Sequence, residues 1–217
     1  LGYVSRSGVR DHTLDAGYGL RVSHPFFRTL YFGMDAERIN LIKGDLQTQV
    51  LTFRVLEFES NTRDHGHFRI HETKEALIEP YMIWEKGVNK VIIPIGTYSF
   101  NEAEIRFQSG QVRKFWGTIG YRSGGFYDGH RQQETAGIGW RPSSHFQLTL
   151  DYTVNDVELP YGDFNTELIE AISKVKGSNY YAVHSPDDFM TRMDDEFEYM
   201  VTPLVFDLEL KLNADGY

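Results

Sequence analysis

The stretch 144-SHFQLTLDYTVNDVELP-160 alternates almost without interruption between apolar and polar residues. Every second position from Phe146 to Val154 is apolar, and the positions between them, from Gln147 to Asn155, are polar. Such alternation is typical of a β-strand that has one apolar face and one polar face. The question it raises is whether the core of a soluble protein or the hydrocarbon of a membrane covers the apolar face.

The same alternation recurs along the first three quarters of the chain. Within residues 46–59 the apolar phase slips to Leu56 and Phe58, and a β-bulge would explain the slip. Residues 77–96 contain Pro80 and Pro94 and are predicted to be a long excursion. At about 10 to 14 residues, the predicted strands are long enough to cross a bilayer, which takes about 9 to 11 tilted residues. With the stretch quoted above they number eight, the other seven being 12–22, 26–39, 46–59, 66–76, 97–108, 112–123 and 131–141.

The pattern changes after about Phe164. Residues 166–176 place apolar side chains on one helical stripe and predict a helix, which is followed by a short strand, NYYAVHS. A second helix is predicted over 186–200, and strict alternation predicts a last strand over 204–212. The predicted fold is therefore mainly β: an antiparallel up-and-down β-barrel, or an arc of one, with a short C-terminal α/β tail.

Composition excludes several classes of function. The net charge of -9 disfavours nucleic-acid binding, which needs clustered Lys and Arg. The absence of cysteine excludes disulfides, thiolate metal sites and a cysteine nucleophile. The mean hydropathy is -0.42, a value that suits transmembrane strands because they place apolar residues only at alternate positions. The chain begins at Leu1 rather than Met, so we expect a fragment or a processed chain.

Residues 1–164 resemble the C-terminal β-barrel of a family of large bacterial outer-membrane proteins. In that family a family-9-type carbohydrate-binding module precedes the barrel, and members are often labelled as membrane-associated hydrolases. The resemblance implies an outer-membrane barrel domain, and no catalytic residues can be carried over from the family to these positions. It rests on four segments, 93-IPIGTYSF-100, 124-GGFYDGHR-131, 137-GIGWRPSSHFQLTLDY-152 and 155-NDVELPYGDF-164.

Residues 165–217 are similar to the end of a von Willebrand factor A domain. The matching segments are 165-NTELIEAISKVKGSNYYAVHS-185 and the remainder from Pro186 to Tyr217. That resemblance implies a second unit made of the last helices and strand of a doubly wound fold. The metal-binding Asp-x-Ser-x-Ser motif of that family is absent from the sequence, so divalent-metal adhesion is not carried over.

A few residue clusters are candidate sites. Trp116, Tyr127 and Trp140 are the candidates for stacking on a ligand such as a sugar, with packing or a membrane-interface girdle as the alternative. His65, His67 and His71 share one strand face and are the candidate metal ligands, with ordinary polar histidines as the alternative. Three further charged side chains are expected to form salt bridges inside the barrel rather than a glycosidase site, namely Glu102, Glu104 and Arg106.

The sequence therefore predicts an outer-membrane β-barrel segment that serves as the membrane anchor or the conduit of a larger cell-surface protein. Outer-membrane lipid is the expected partner, carbohydrate is a second candidate partner, and no nucleic acid, cofactor or catalytic residue is expected. Two alternatives stay open: a soluble β-rich protein that binds a ligand or carbohydrate, and a von Willebrand-type adhesion module.

Overall fold

A computed structural model describes the backbone of residues 8–175 and 178–184 and the side chains of residues 8–172. All of the regular secondary structure in these residues is β-strand. The strands are β1 (Val9–Arg21), β2 (Phe27–Leu41), β3 (Leu46–Ser60), β4 (His65–Leu77), β5 (Tyr81–Lys86), β6 (Asn89–Ile93), β7 (Gly96–Gln108), β8 (Phe115–Phe126), β9 (Gly129–Ser143), β10 (Phe146–Glu158), β11 (Phe164–Val175) and β12 (Ser178–His184).

Ten of these strands form one antiparallel sheet in the order β1-β2-β3-β4-β7-β8-β9-β10-β11-β12. Strands adjacent in the sheet are consecutive in the chain except at β4 and β7, between which β5 and β6 form a separate two-stranded hairpin. This arrangement confirms the predicted antiparallel, mainly β fold and the predicted excursion. Within the described ranges β1 and β12 stand at the two ends of the strand order, so the sheet is not closed.

The bulge predicted in β3 is confirmed. The pairing of β3 with β4 shifts register between Arg54 and Leu56. As a result Phe53 pairs with Ile70 and Leu56 pairs with Phe68, so that apolar side chains stay on one face although their spacing along β3 changes from even to odd. The phase slip in the sequence is the local sign of this extra residue.

The helix predicted over 166–176 is wrong for residues 166–175, which belong to β11. This strand pairs with β10 along twelve residue pairs, from Phe146 with Val175 to Val157 with Phe164. A strand ladder of that length outweighs the helical spacing of its apolar residues, because tertiary pairing overrides local propensity. The predicted NYYAVHS strand is confirmed over 179–184 as part of β12. The second helix and the last strand lie outside the described residues, so the domain boundary at 164 stays a prediction.

The apolar core of the described chain is small and lies at one end of the sheet. Val91 and Ile93 of the β5–β6 hairpin pack with Tyr98 of β7, with Val157 of β10 and with Leu159 directly after β10. Ile93 is fully buried. We call this the hairpin end of the sheet; the opposite end carries the turns at 22–26, 61–64, 109–114 and 144–145.

One face of the sheet is apolar and exposed. Leu14 is 57% exposed and Ile138 is 66% exposed, and no described strand lies over this face, since the hairpin packs on the other one. We call it the apolar face. Its exposed members are Leu14, Tyr18, Leu20, Phe32, Phe53, Leu56, Phe68, Ile70, Ile105, Phe107, Phe115, Ile119, Tyr121, Ile138, Trp140 and Tyr152.

Candidate functional site

The opposite face of the sheet, which we call the polar face, is lined by paired charges. It is formed by the side chains that alternate with the apolar ones, so neighbouring strands present their charged residues to each other. At its centre the carboxylates of Glu102 and Glu104 on β7 each contact basic side chains, which come from β4, β8 and β9. Together with His67, His71, Arg122 and Arg131 we call them the carboxylate ladder.

Glu102 is the most enclosed member of the carboxylate ladder, with its side chain 1% exposed. Arg122 on β8 donates to its Oε2 at 2.6 Å, and Arg131 on β9 donates to both oxygens at 2.6 and 2.8 Å. The guanidinium of Arg131 also lies 4.4 Å from the ring centre of Phe126. A buried carboxylate is tolerated when it is paired and fully hydrogen-bonded, as it is here. Glu102 thereby joins three strands.

Glu104 joins two of the three histidines of β4 to the same network, since Arg122 contacts Glu104 as well as Glu102. Nε2 of His67 lies 2.8 Å from Oε1 of Glu104, and Nε2 of His71 lies 3.1 Å from Oε2. Nδ1 of His71 is 3.0 Å from the hydroxyl of Thr52 on β3. The carboxylate ladder therefore links β4, β7, β8 and β9, and Thr52 connects it to β3.

A second group of charges continues the pattern toward β1. Arg54 on β3 contacts Asp15 at 2.5 Å and Asp35 at 3.1 Å, and Arg69 on β4 donates to Glu57 at 2.6 Å. The expectation that charges on this face pair with one another therefore holds for Glu102 and Glu104. Arg106 makes no such bridge within the described residues and instead lines the cavity described next.

Next to the carboxylate ladder the polar face contains a cavity of about 250 Å³. Arg106 of β7 and Asp151 of β10 both line it, and they are separated in the sheet by β8 and β9. Trp116 and Thr149 line it as well. The cavity is polar, with opposite charges contributed by strands that are not neighbours.

The three aromatic ligand candidates lie in different places. Trp116 is 5% exposed on the polar face, whereas Trp140 on the next strand lies on the apolar face and stacks on Phe115 at 6.2 Å. Tyr127 is in the β8–β9 turn at the hairpin end and packs against Tyr98 and Phe100. Burial raises the pKa of Tyr127 to about 12. They do not form one site, and ligand stacking by any of them stays a prediction.

The three histidine candidates do share one face, as predicted, but they are engaged differently. His67 and His71 contact Glu104, whereas His65 is exposed at the start of β4. Among the residues with described side chains, no three His, Cys, Asp or Glu side chains are grouped closely enough to hold a metal ion. The arrangement is that of a hydrogen-bonded network.

Aromatic side chains collect on the apolar face near the opposite end. Phe58 contacts Phe26, Phe27 and Phe107 with ring centres 5.2 to 6.5 Å apart. Farther along the sheet Trp140 packs between Phe115 and Phe146. We call these seven residues the aromatic belt: Phe26, Phe27, Phe58, Phe107, Phe115, Trp140 and Phe146.

Two turns at the opposite end are tied together by Asp64. Its carboxylate accepts hydrogen bonds from Ser60 at 2.9 Å, from Thr62 and the backbone N–H of Gly110 at 2.7 Å each, and from Arg113. The Arg113 guanidinium, with smaller contributions from the other donors, holds the pKa of Asp64 well below its usual range in spite of burial. Asp64 therefore links the β3–β4 turn to the β7–β8 connection.

No pattern in the sequence directly indicated the cavity or the small core under the hairpin. Both depend on which strands become neighbours. In the sheet β7 lies beside β4, although β5 and β6 separate them in the sequence. A partial sign is the glycine spacing of 137-GIGW-140, which leaves alternate positions of β9 without side chains on the polar face.

Comparison with known proteins adds no relative. No protein-family model matches the sequence, and neither the curated proteins nor the solved structures contain a significant match. Both resemblances therefore stay predictions. The part of the chain that the structure describes contains no helix long and apolar enough to cross a membrane.

Proposed function

We propose that the described sheet is the membrane-embedded part of a bacterial outer-membrane β-barrel, which serves as the anchor or conduit of a larger cell-surface protein. The observation that carries the proposal is the inverted distribution of side chains. The charged face is internally paired, whereas the apolar face is open. A soluble sheet protein has the reverse arrangement, with its apolar face packed on a core.

The size of the apolar face argues that something must cover it. Its sixteen exposed members leave on the order of 1,000 Å² of apolar surface open, whereas soluble monomers rarely expose a patch of more than a few hundred Å². At roughly 25 cal/mol per Å², removing that surface from water stabilises the protein by on the order of 25 kcal/mol. This exceeds the entire stability of a typical domain, roughly 5 to 15 kcal/mol.

A bilayer suits this face better than a protein partner within the same chain. A helix of about 15 residues is about 22 Å long and 10 Å wide, whereas nine neighbouring strands are about 40 Å across. One or two such helices would leave most of the face open.

The side chains of the apolar face form a band that runs obliquely across the sheet. In β3 and β4 the pair Leu51–Glu72 lies at the edge of the band, and Phe53–Ile70 lies inside it. In β8 and β9 the edge has moved toward the opposite end, since Tyr121 pairs with Glu134 and Ile119 pairs with Ala136. Strands tilted relative to a horizontal layer produce such a shift, and tilt is general in barrels.

The aromatic belt and the hairpin support the same proposal. Membrane barrels carry aromatic girdles where the apolar band meets the headgroups, and the aromatic belt lies at one border of the band.

At the other end the β5–β6 hairpin packs on the polar face through Val91 and Ile93. A hairpin in that position narrows the interior, which favours an anchor over a wide pore.

Two tryptophans on adjacent strands allow a direct test. Variants of the full chain that retain only Trp140 or only Trp116 are reconstituted in phosphatidylcholine vesicles with brominated acyl chains. Trp140 on the apolar face should be strongly quenched by bromine relative to unbrominated vesicles, and Trp116 on the polar face should be quenched much less.

The outcome that contradicts the proposal is equally specific. If the chain is monodisperse in buffer without detergent, and Trp140 is not quenched when vesicles are added, the apolar face is covered by protein. The soluble alternative would then be favoured.

A further inference from the structure

The cavity between β7 and β10 contains two charges that the carboxylate ladder does not use. Arg106 and Asp151 line it from strands three positions apart in the sheet, a backbone separation of about 14 Å at roughly 4.8 Å per strand. Their charges interact, but within the described residues neither side chain makes a hydrogen bond or an ion pair. By contrast, Glu102 and Glu104 are fully paired.

Glycines under these side chains hold them in position. Asp151 lies over Gly137, where a Cβ would come within 2.1 Å of its Oδ1, and Trp116 lies over Gly139, where a Cβ would come within 1.9 Å of the indole. The stem of Arg106 lies beside Gly120. The two intervening strands therefore present little bulk here, which opens the space between the two charges.

The chemistry of the lining specifies the occupant. A guanidinium recognises a carboxylate through paired hydrogen bonds, and a carboxylate recognises an ammonium group. The carboxylate of Asp151 is partly removed from water and unpaired, which is costly for a charge, whereas Arg106 is exposed and carries an unpaired guanidinium to the same cavity. A ligand that pairs both charges would relieve the cost at Asp151. Gln147 and Thr149 add neutral hydrogen-bonding groups to the lining.

We propose that this cavity binds a small zwitterionic solute, of the class of free α-amino acids, with its carboxylate on Arg106 and its ammonium group on Asp151. The volume of about 250 Å³ is slightly below the usual range for drug-sized ligands, roughly 300 to 1,000 Å³, and suits a solute of this size. The inference does not depend on the bilayer, because the cavity lies on the polar face.

The test is calorimetric titration of the purified full chain, in detergent micelles or in buffer if it is soluble there. Glycine, L-alanine and L-glutamine are compared with N-acetyl-L-glutamine, which lacks the ammonium group, and with glucose, which is neutral. At least one of the three amino acids should bind saturably. N-acetyl-L-glutamine and glucose should bind at least about tenfold more weakly than that amino acid, because each loses a charge-assisted hydrogen bond.

Variants assign the binding to this cavity. Arg106→Gln and Asp151→Asn should each weaken amino-acid binding about tenfold or more, as should Gly137→Ala, which keeps both charges but displaces the Asp151 carboxylate. Arg38→Gln and Asp11→Asn are matched controls at exposed positions in other strands and should bind like the parent chain.

Two results would overturn the inference. One is the absence of saturable binding by all three amino acids in a chain whose circular dichroism shows folded strands. The other is glucose binding that is as strong as amino-acid binding and is lost in the same variants, since the cavity would then be a polyol site. Tryptophan quenching by lipid is measured separately, so a failure of the membrane proposal is distinguishable from a failure of this one.

Discussion

At the scale of single residues, Asp64 combines burial with four donors. Its side chain is 7% exposed, and the donors come from two different turns. Replacing it by Asn keeps the shape but removes the charge that Arg113 contacts. A hydrogen bond to a charged group contributes roughly 1.5 to 3 kcal/mol, so we expect Asp64→Asn to lower the free energy of unfolding by about 2 kcal/mol at neutral pH.

The same residue predicts a pH dependence. Its pKa is lower in the folded protein than in the unfolded chain, so its stabilising contribution is present above the ordinary carboxyl value of about 3.9. The contribution is lost as the pH falls from there toward the lower folded value. The stability gap between the parent chain and Asp64→Asn, measured by urea unfolding, should therefore narrow below about pH 4.

The control is Asp11→Asn, which changes an exposed carboxylate in β1. It should leave the unfolding curve unchanged both at neutral pH and below about pH 4. A gap between the parent and Asp64→Asn that stays constant from neutral pH down to pH 2 would contradict the assigned role of Asp64.

Residue types alone could not locate the candidate sites. The sequence analysis grouped Trp116 and Trp140 as ligand candidates, and the structure places them on opposite faces of the sheet. The sequence did not show that Trp116 would be buried beside Arg141, 5.3 Å from its ring. Likewise Glu104 was expected to find a basic partner, but His67 and His71 became candidates only once β4 and β7 paired. The face to which a side chain points is set by its own strand, whereas the side chains it contacts depend on the strand order.

At the scale of elements, the β5–β6 hairpin is the part of the described chain with a conventional apolar core. Ile93 is fully buried and Ile92, its neighbour in β6, is 45% exposed. Ile93→Ala should lower the free energy of unfolding by roughly 2 to 4 kcal/mol, because truncating a buried isoleucine loses contacts and leaves a cavity.

Ile92→Ala is the matched control, with the same change one position away. It should cost less than about 1 kcal/mol if that side chain faces solvent or lipid rather than the core. Denaturant unfolding of both variants under the same conditions gives the comparison. Equal losses for the two would show that the hairpin does not pack as described.

Elements were predictable where one face is uniformly apolar. In β7 and β8 the alternation defined both faces, and the bulge of β3 was visible as a change of phase. In β11 neither face is uniform, since Leu168 and Ile172 share a face with Glu170, while Ile169 shares one with Glu167. A mixed pattern fits helical spacing as well as a strand, and only the ladder with β10 decides between them.

At the scale of the whole molecule, the sequence showed two faces but not how each of them is engaged. The structure adds that the charges of one face pair across strands and that the other, apolar face is exposed among the described residues. The long strands were a further indication. Nine of the ten strands in the main sheet have 12 to 15 residues, against a usual length of about 5 to 6.

The membrane proposal makes a prediction for the two faces of one strand. Ile138 and Thr135 both lie in β9; Ile138 is 66% exposed on the apolar face, whereas Thr135 points to the polar face. An arginine on the lipid-facing side of a barrel costs roughly 2 to 4 kcal/mol near the bilayer midplane. On the polar face the same side chain can be solvated or can pair with a carboxylate. Ile138→Arg should therefore reduce the fraction of chain that folds into phosphatidylcholine vesicles, read from urea titrations, far more than Thr135→Arg does. A larger loss for Thr135→Arg than for Ile138→Arg would contradict the proposal. It would mean that the polar face meets the lipid, or that neither face does.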